Sequence, residues 1–226
     1  MSTSIEAYTH WASQTVRTGW YAMIAEIMRR RVAEISKDAP AYRPERPTPD
    51  RGELIRAALR LQAQDAENVR KGIYPAMADE DSLSGHFEAL RRMFADLPVS
   101  NERRLAKRGE EVAEHIDAKD LPGYYARNFH YQTGGYLSDE SARLYDIQVD
   151  TLFVGTSGAM RRAVLPPIAE YVCGKDQRTL AMLDAACGTG RFLSQAAQAF
   201  PAMPMTGLDL SAAYIEAARE RLHGRR

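Results

Sequence analysis

Along the first 120 residues, apolar side chains recur every three or four positions, the spacing of one face of an α-helix. Trp20, Ile24, Ile27 and Ile35 trace one stripe, with Val32 beside it and Arg31 as its charged interruption. Pro40, Pro44, Pro47 and Pro49 then predict an extended linker, since each lacks an amide hydrogen. Thr48-Pro49-Asp50 predicts a helix start with Pro49 at the first helical position. Ile55, Ala58, Leu59, Ala66 and Val69 form a second stripe, with Gln62 as a polar gap. Leu83, Phe87, Leu90, Phe94 and Leu97 form a third, which Pro98 is expected to end. A charged helix with Leu105, Val112 and Ile116 follows. These stripes read as core-facing surfaces of a helical bundle; the alternative is a dimerisation or partner surface.

The pattern then changes twice. Tyr124 to Tyr136 is rich in aromatic, amide and glycine residues, a mixture suited to a shaped surface that flexes at Gly134-Gly135. Leu144 to Phe153 and Ala159 to Val172 return to helix, with Pro166-Pro167 as a restart and Gly174 as the end. After Gly174, strand and helix alternate. Leu180 to Asp184 predicts a short buried parallel strand, and Leu193, Ala196, Ala197 and Phe200 one face of a helix. Pro201 to Pro204 is the return turn, and Met205 to Leu208 the second strand. Ser211 caps a last helix carrying Ile215, Ala218 and Leu222.

Composition narrows the chemistry. Thirty basic side chains balance thirty acidic ones, so no global field draws in nucleic acid and no polybasic tract suggests a membrane surface. Arg29-Arg30-Arg31 sits beside Glu26 and Glu34 and reads as a solvated helix face. Cys173 and Cys187 lack metal-ligand spacing and a disulfide framework, and His10, His86, His115 and His223 lack partners at ligand spacing, so no metal is implied. No secretory signal or apolar run of membrane-crossing length is present, which places the protein in the cytoplasm.

One corner carries chemistry: Asp184-Ala185-Ala186-Cys187-Gly188-Thr189-Gly190, then Gly207-Leu208-Asp209-Leu210-Ser211. Gly188 and Gly190 allow a sharp turn and close approach of a ligand. The turn opens a helix whose free N–H groups favour a negative group. Asp184 ends the first strand and can secure the loop or accept from a ligand ammonium. Asp209 ends the second and can accept from both hydroxyls of a ribose. A nicotinamide dinucleotide site prefers a third glycine or alanine where this chain has Leu193, and an acid just before the loop sits poorly beside a pyrophosphate. A sulfonium nucleoside with an amino-acid end fits better.

The two motifs resemble those of class I S-adenosylmethionine-dependent methyltransferases, and are similar to the branch containing ubiquinone/menaquinone-biosynthesis-type enzymes. Ala186 stands where that family has its first glycine. The resemblance implies that Asp184, Ala186, Gly188 and Gly190 contact the methionine end of S-adenosyl-L-methionine, that Asp209 holds the ribose, and that Leu210 packs on the adenine. Cys187 belongs to the same turn, its thiol read as a small filler. Asn128 to Arg162 also looks like the pre-core region of such enzymes, where helices often form a lid over the cofactor. That makes Tyr131 and Tyr145 candidates for cofactor or acceptor contact, beside the reading of both as packed aromatics. His130 reads as structural rather than as a general base.

The expected architecture is therefore α/β: an N-terminal α-helical region (1–120), a lid or pre-core helical segment (121–176), and the first strand-helix-strand-helix of a Rossmann-like methyltransferase fold (177–226). The resemblance covers only two strands of a larger sheet, and roughly another hundred residues would complete such a domain. The chain is thus expected to be a fragment or a product cut short, inactive alone. The expected function is methyl transfer to an unidentified small-molecule acceptor, without nucleic acid or membrane partners and with a homodimer contact available through the N-terminal helices. The alternatives are a dinucleotide-dependent oxidoreductase, or a helical interaction module with an enzyme remnant. The catalytic residues are not identified from sequence.

Overall fold

The computed structural model describes residues 2–37, 45–77, 83–106, 122 and 138–223. Eight α-helices and two strands are described: α1 (Ser2–Ile35), α2 (Arg51–Arg70), α3 (Leu83–Ala106), α4 (Asp139–Leu152), α5 (Ser157–Arg162), α6 (Leu165–Val172), β1 (Met182–Ala185), α7 (Arg191–Ala199), β2 (Met205–Leu208) and α8 (Ala212–Leu222).

The second helix begins two residues later than its proline suggests, at Arg51. Asp50 is the N-cap, accepting from the Glu53 amide at 2.7 Å, while the Glu53 carboxylate accepts from the Asp50 amide at 2.8 Å. This reciprocal capping box satisfies two donors at once, so Pro49 falls outside the helix. Pro98 does not end α3, which continues to Ala106. The ring removes one helical hydrogen bond. The turn beyond it is held from outside, because buried Asn101 donates to Ser36 Oγ at 2.7 Å.

The apolar stripes only partly face the core. On α1, Ile24 is buried, but Ile27 is 48% exposed; the inward face carries Ala7, His10, Gln14, Tyr21 and Ile24. On α2, Ile55 and Leu59 are half exposed, whereas Gln62, expected to be a gap, is buried with Asp65, Asn68 and Val69. The reason is a polar network between helices. Asp65 Oδ1 accepts from Arg162 Nε at 2.8 Å and from the Tyr74 hydroxyl at 2.7 Å. Its Oδ2 accepts from Arg162 Nη2 at 2.6 Å and lies 2.8 Å from His10 Nε2. Burial pushes the Asp65 pKa upward, but the Arg162 and His10 hydrogen bonds outweigh it and hold the carboxyl well below the usual range. Gln62 donates to Thr18 at 3.0 Å.

Two apolar clusters complete the packing. Tyr21, Ile24, Leu90, Met93, Leu144 and Ile147 join α1, α3 and α4. Ala7, Val69, Leu165, Val172, Ala196 and Phe200 join α1, α2, α6 and α7, so the α/β unit shares a core with the helices before it. β1 and β2 pair in parallel, Met182 opposite Met205 and Ala185 opposite Leu208, with α7 as the crossover. The second strand has the limits expected from sequence; the first runs Met182–Ala185 rather than from Leu180.

Candidate cofactor site

At the tips of β1 and β2 the chain folds into a compact corner. Gly188 and Gly190 adopt φ of +55° and +75°, in the left-handed region that glycine enters without a Cβ penalty. A Cβ on Gly188 would meet nothing within 4 Å, so the space beside its Cα is open. A Cβ on Gly190 would lie 3.0 Å from the Ala218 Cβ, so here the glycine admits α8 instead. Ala186 also has positive φ, +66°, which accounts for the preference for glycine at that position in the resembling family.

The two acids divide their work. Asp209 Oδ2 accepts from the Gly188 amide, and Oδ1 from the Ser211 amide, each at 2.9 Å. Securing the loop, one of two roles open to Asp184, is thus performed by Asp209. Asp184 Oδ2 is buried with no hydrogen-bond partner among the described residues. Burial, and then the charge of Asp209, push the Asp184 pKa up. A cation arriving beside these acids would relieve both effects.

Neighbouring side chains support the corner. Cys187 is buried, and burial followed by the two aspartates pushes its thiol pKa up, in keeping with a neutral filler. Leu193, which stands where a dinucleotide site prefers glycine or alanine, is buried where β2 has no side chain: a Cβ on Gly207 would lie 2.6 Å from Leu193 Cδ1 and 2.9 Å from Cys187 Sγ. The close-packing glycine has moved from the helix to the strand. Leu210 is 54% exposed at the lip of the corner, beside the Asp209 carboxylate in sequence. The Tyr145 ring lies 5.2 Å from that of Tyr214. Burial pushes the Tyr145 phenol up, Arg161 pulling against that shift and Asp146 and Asp209 adding to it. Tyr131, His130 and the Gly134-Gly135 segment lie outside the described residues.

The sequence reading missed Asp146. This buried carboxylate on α4 accepts from the Thr189 hydroxyl at 2.9 and 3.1 Å, inside the glycine turn. Arg221 of α8 donates to Asp146 Oδ2 at 2.7 Å and to the Thr189 carbonyl at 2.9 Å. Arg191, the first residue of α7, places its Nε 3.0 Å from Asp146 Oδ2. One acid therefore fixes the turn, both flanking helices and α4. Asp-x-Gly-x-Gly spacing carries no signal for a partner 43 residues upstream.

No helix among the described residues is long and apolar enough to cross a membrane, and no metal-ligand cluster occurs among them. No curated protein and no solved structure matches the chain. Residues 182–226, which include the whole corner, match the family described as "Methyltransferase domain", and this similarity supports a methyltransferase function.

Proposed function

We propose that the corner binds S-adenosyl-L-methionine and that the chain serves methyl transfer to a small-molecule acceptor. One observation carries the reading: a buried, unpartnered carboxylate oxygen on Asp184 stands beside a turn whose Gly188 position opens on free space. That pair suits a ligand with an ammonium and a compact amino-acid end. Asp184 would accept from the ammonium, the Gly188 region would receive the adjoining chain, Asp209 would accept from the ribose, and Leu210 would cover one face of the adenine. Ala186, Cys187 and Gly190 shape the turn between them.

When bound, the cofactor supplies an activated methyl group on a positively charged sulfur, with a neutral thioether as leaving group. The work left to the chain is alignment and exclusion of water. Tyr145, whose ring packs 5.2 Å from that of Tyr214, would shield the reacting region. The two carboxylates flanking the turn also disfavour a pyrophosphate, which argues against the dinucleotide alternative.

Isothermal titration of the 226-residue chain tests this. S-adenosylhomocysteine is expected to bind in preference to NADH. Selective binding of NADH, or equal affinities, would overturn the assignment.

A further inference from the structure

A second polar cleft lies between α1, α5 and the start of α7, bounded by Arg17, Arg161, Arg162, Arg191, Asp150 and Gln195. It measures about 380 Å³ with its open mouth included. Arg162 is committed to Asp65, and Arg17 to Asp150, which also accepts from Ser157. Arg191 shares Asp146 with Arg221. Among the described residues, Arg161 has no carboxylate in ion-pair contact; its Nη1 donates to Ser157 Oγ at 3.2 Å. Burial pushes the Arg161 pKa down, against the pull of Asp146 and Asp150.

The same cleft is lined by Gln195, whose Oε1 is buried and accepts no hydrogen bond among the described residues. A buried acceptor left unmade costs about 1–3 kcal/mol, so a ligand donor there would be favoured. An unneutralised guanidinium next to an unfilled acceptor matches a carboxylate with a neighbouring O–H or N–H. The cleft also borders the glycine turn: Arg191 lines it and stands 3.0 Å from Asp146, which accepts from the Thr189 hydroxyl.

We propose that this cleft binds a small hydroxy or amino acid, its carboxylate on Arg161 and its O–H or N–H donor on Gln195. It is a ligand separate from the nucleoside, whose ammonium is already served by Asp184. Only that separation rests on the cofactor reading; the binding of the acid stands on the cleft itself. In a methyl-transfer reaction this makes the acceptor an acidic small molecule.

Titration of the 226-residue chain with L-malate, succinate, S-adenosylhomocysteine and 5′-methylthioadenosine, which lacks the amino-acid end, tests the proposal. The wild-type chain is expected to bind L-malate, and better than succinate, which lacks the hydroxyl. Arg161→Ala is expected to weaken malate at least tenfold and Arg161→Lys less, with both nucleosides unaffected. Gln195→Leu is expected to abolish the preference for malate over succinate, a readout that survives if Arg161→Ala does not fold. No malate binding by the wild type, or unchanged malate affinity in both variants, would overturn the proposal. So would a tenfold loss of S-adenosylhomocysteine in Arg161→Ala with 5′-methylthioadenosine unchanged, because the carboxylate would then be the nucleoside's own. Malate binding as expected without binding of either nucleoside would defeat the cofactor reading and leave the acid site standing.

Discussion

The Asp209 carboxylate reaches back across the strand pair to accept the Gly188 amide at 2.9 Å, so the tip of β2 holds the loop that follows β1. The same side chain caps its own turn through Ser211. Asp209→Ala is expected to lose two charge-assisted hydrogen bonds, costing about 1–3 kcal/mol of stability. A fall in the urea midpoint, with S-adenosylhomocysteine affinity at least tenfold weaker, is the expected pair of results. Asp209→Asn keeps one acceptor and is expected to lie between.

Asp184 should behave in the opposite sense. Its folded pKa is raised, so ionisation above that pKa works against the fold, and the penalty grows as pH rises through the ordinary carboxylate range. Asp184→Asn is therefore expected to raise the urea midpoint at pH 7 while weakening S-adenosylhomocysteine roughly tenfold. A stabilised variant with undiminished affinity would show that this oxygen serves no ligand.

The two turn glycines separate stability from binding. Gly190→Ala meets Ala218 and is strained at φ +75°, and is expected to cost about 2–3 kcal/mol in equilibrium unfolding. Gly188→Ala has free space for its methyl and is expected to cost only about 1 kcal/mol, the left-handed backbone penalty. The larger loss of nucleoside affinity should nevertheless belong to Gly188→Ala.

Acid titration should find Asp65. Its carboxyl is held below the usual range in the folded state, so its stabilising contribution is complete above the unfolded pKa and declines as pH falls from about 5 toward the folded value. Arg162→Met leaves Asp65 buried without its bidentate partner and is expected to cost about 3–5 kcal/mol at pH 7. Urea midpoints from pH 7 to 3 should show a flatter acid limb in Asp65→Asn than in the wild type.

The corner was legible in the sequence because it depends on local rules. Glycines mark positive φ, Ser211 caps the helix it precedes by accepting from the Tyr214 amide at 3.3 Å, and a short apolar run forms each strand. The helices before it were less legible because their inward faces are polar. His10, Gln14, Gln62 and Asp65 are buried through partners on other helices, so apolar spacing pointed to Ile27, Ile55 and Leu59, which face outward. Pro98 misled for a related reason: the segment after it is retained by Asn101 reaching Ser36, a contact 65 residues apart. Leu193 and Gly207 form a complementary pair that is recognisable only once helix and strand are brought together.

Because Asp146 clasps Thr189, Arg191 and Arg221 together, a nucleoside bound as proposed would be felt beyond the corner itself. Tightening of the loop will be transmitted along α4 to its neighbours, slowing amide exchange in a helix that itself need not meet the nucleoside. A lesion at this acid would in turn present as poor nucleoside retention, although it arises in the helical half of the molecule.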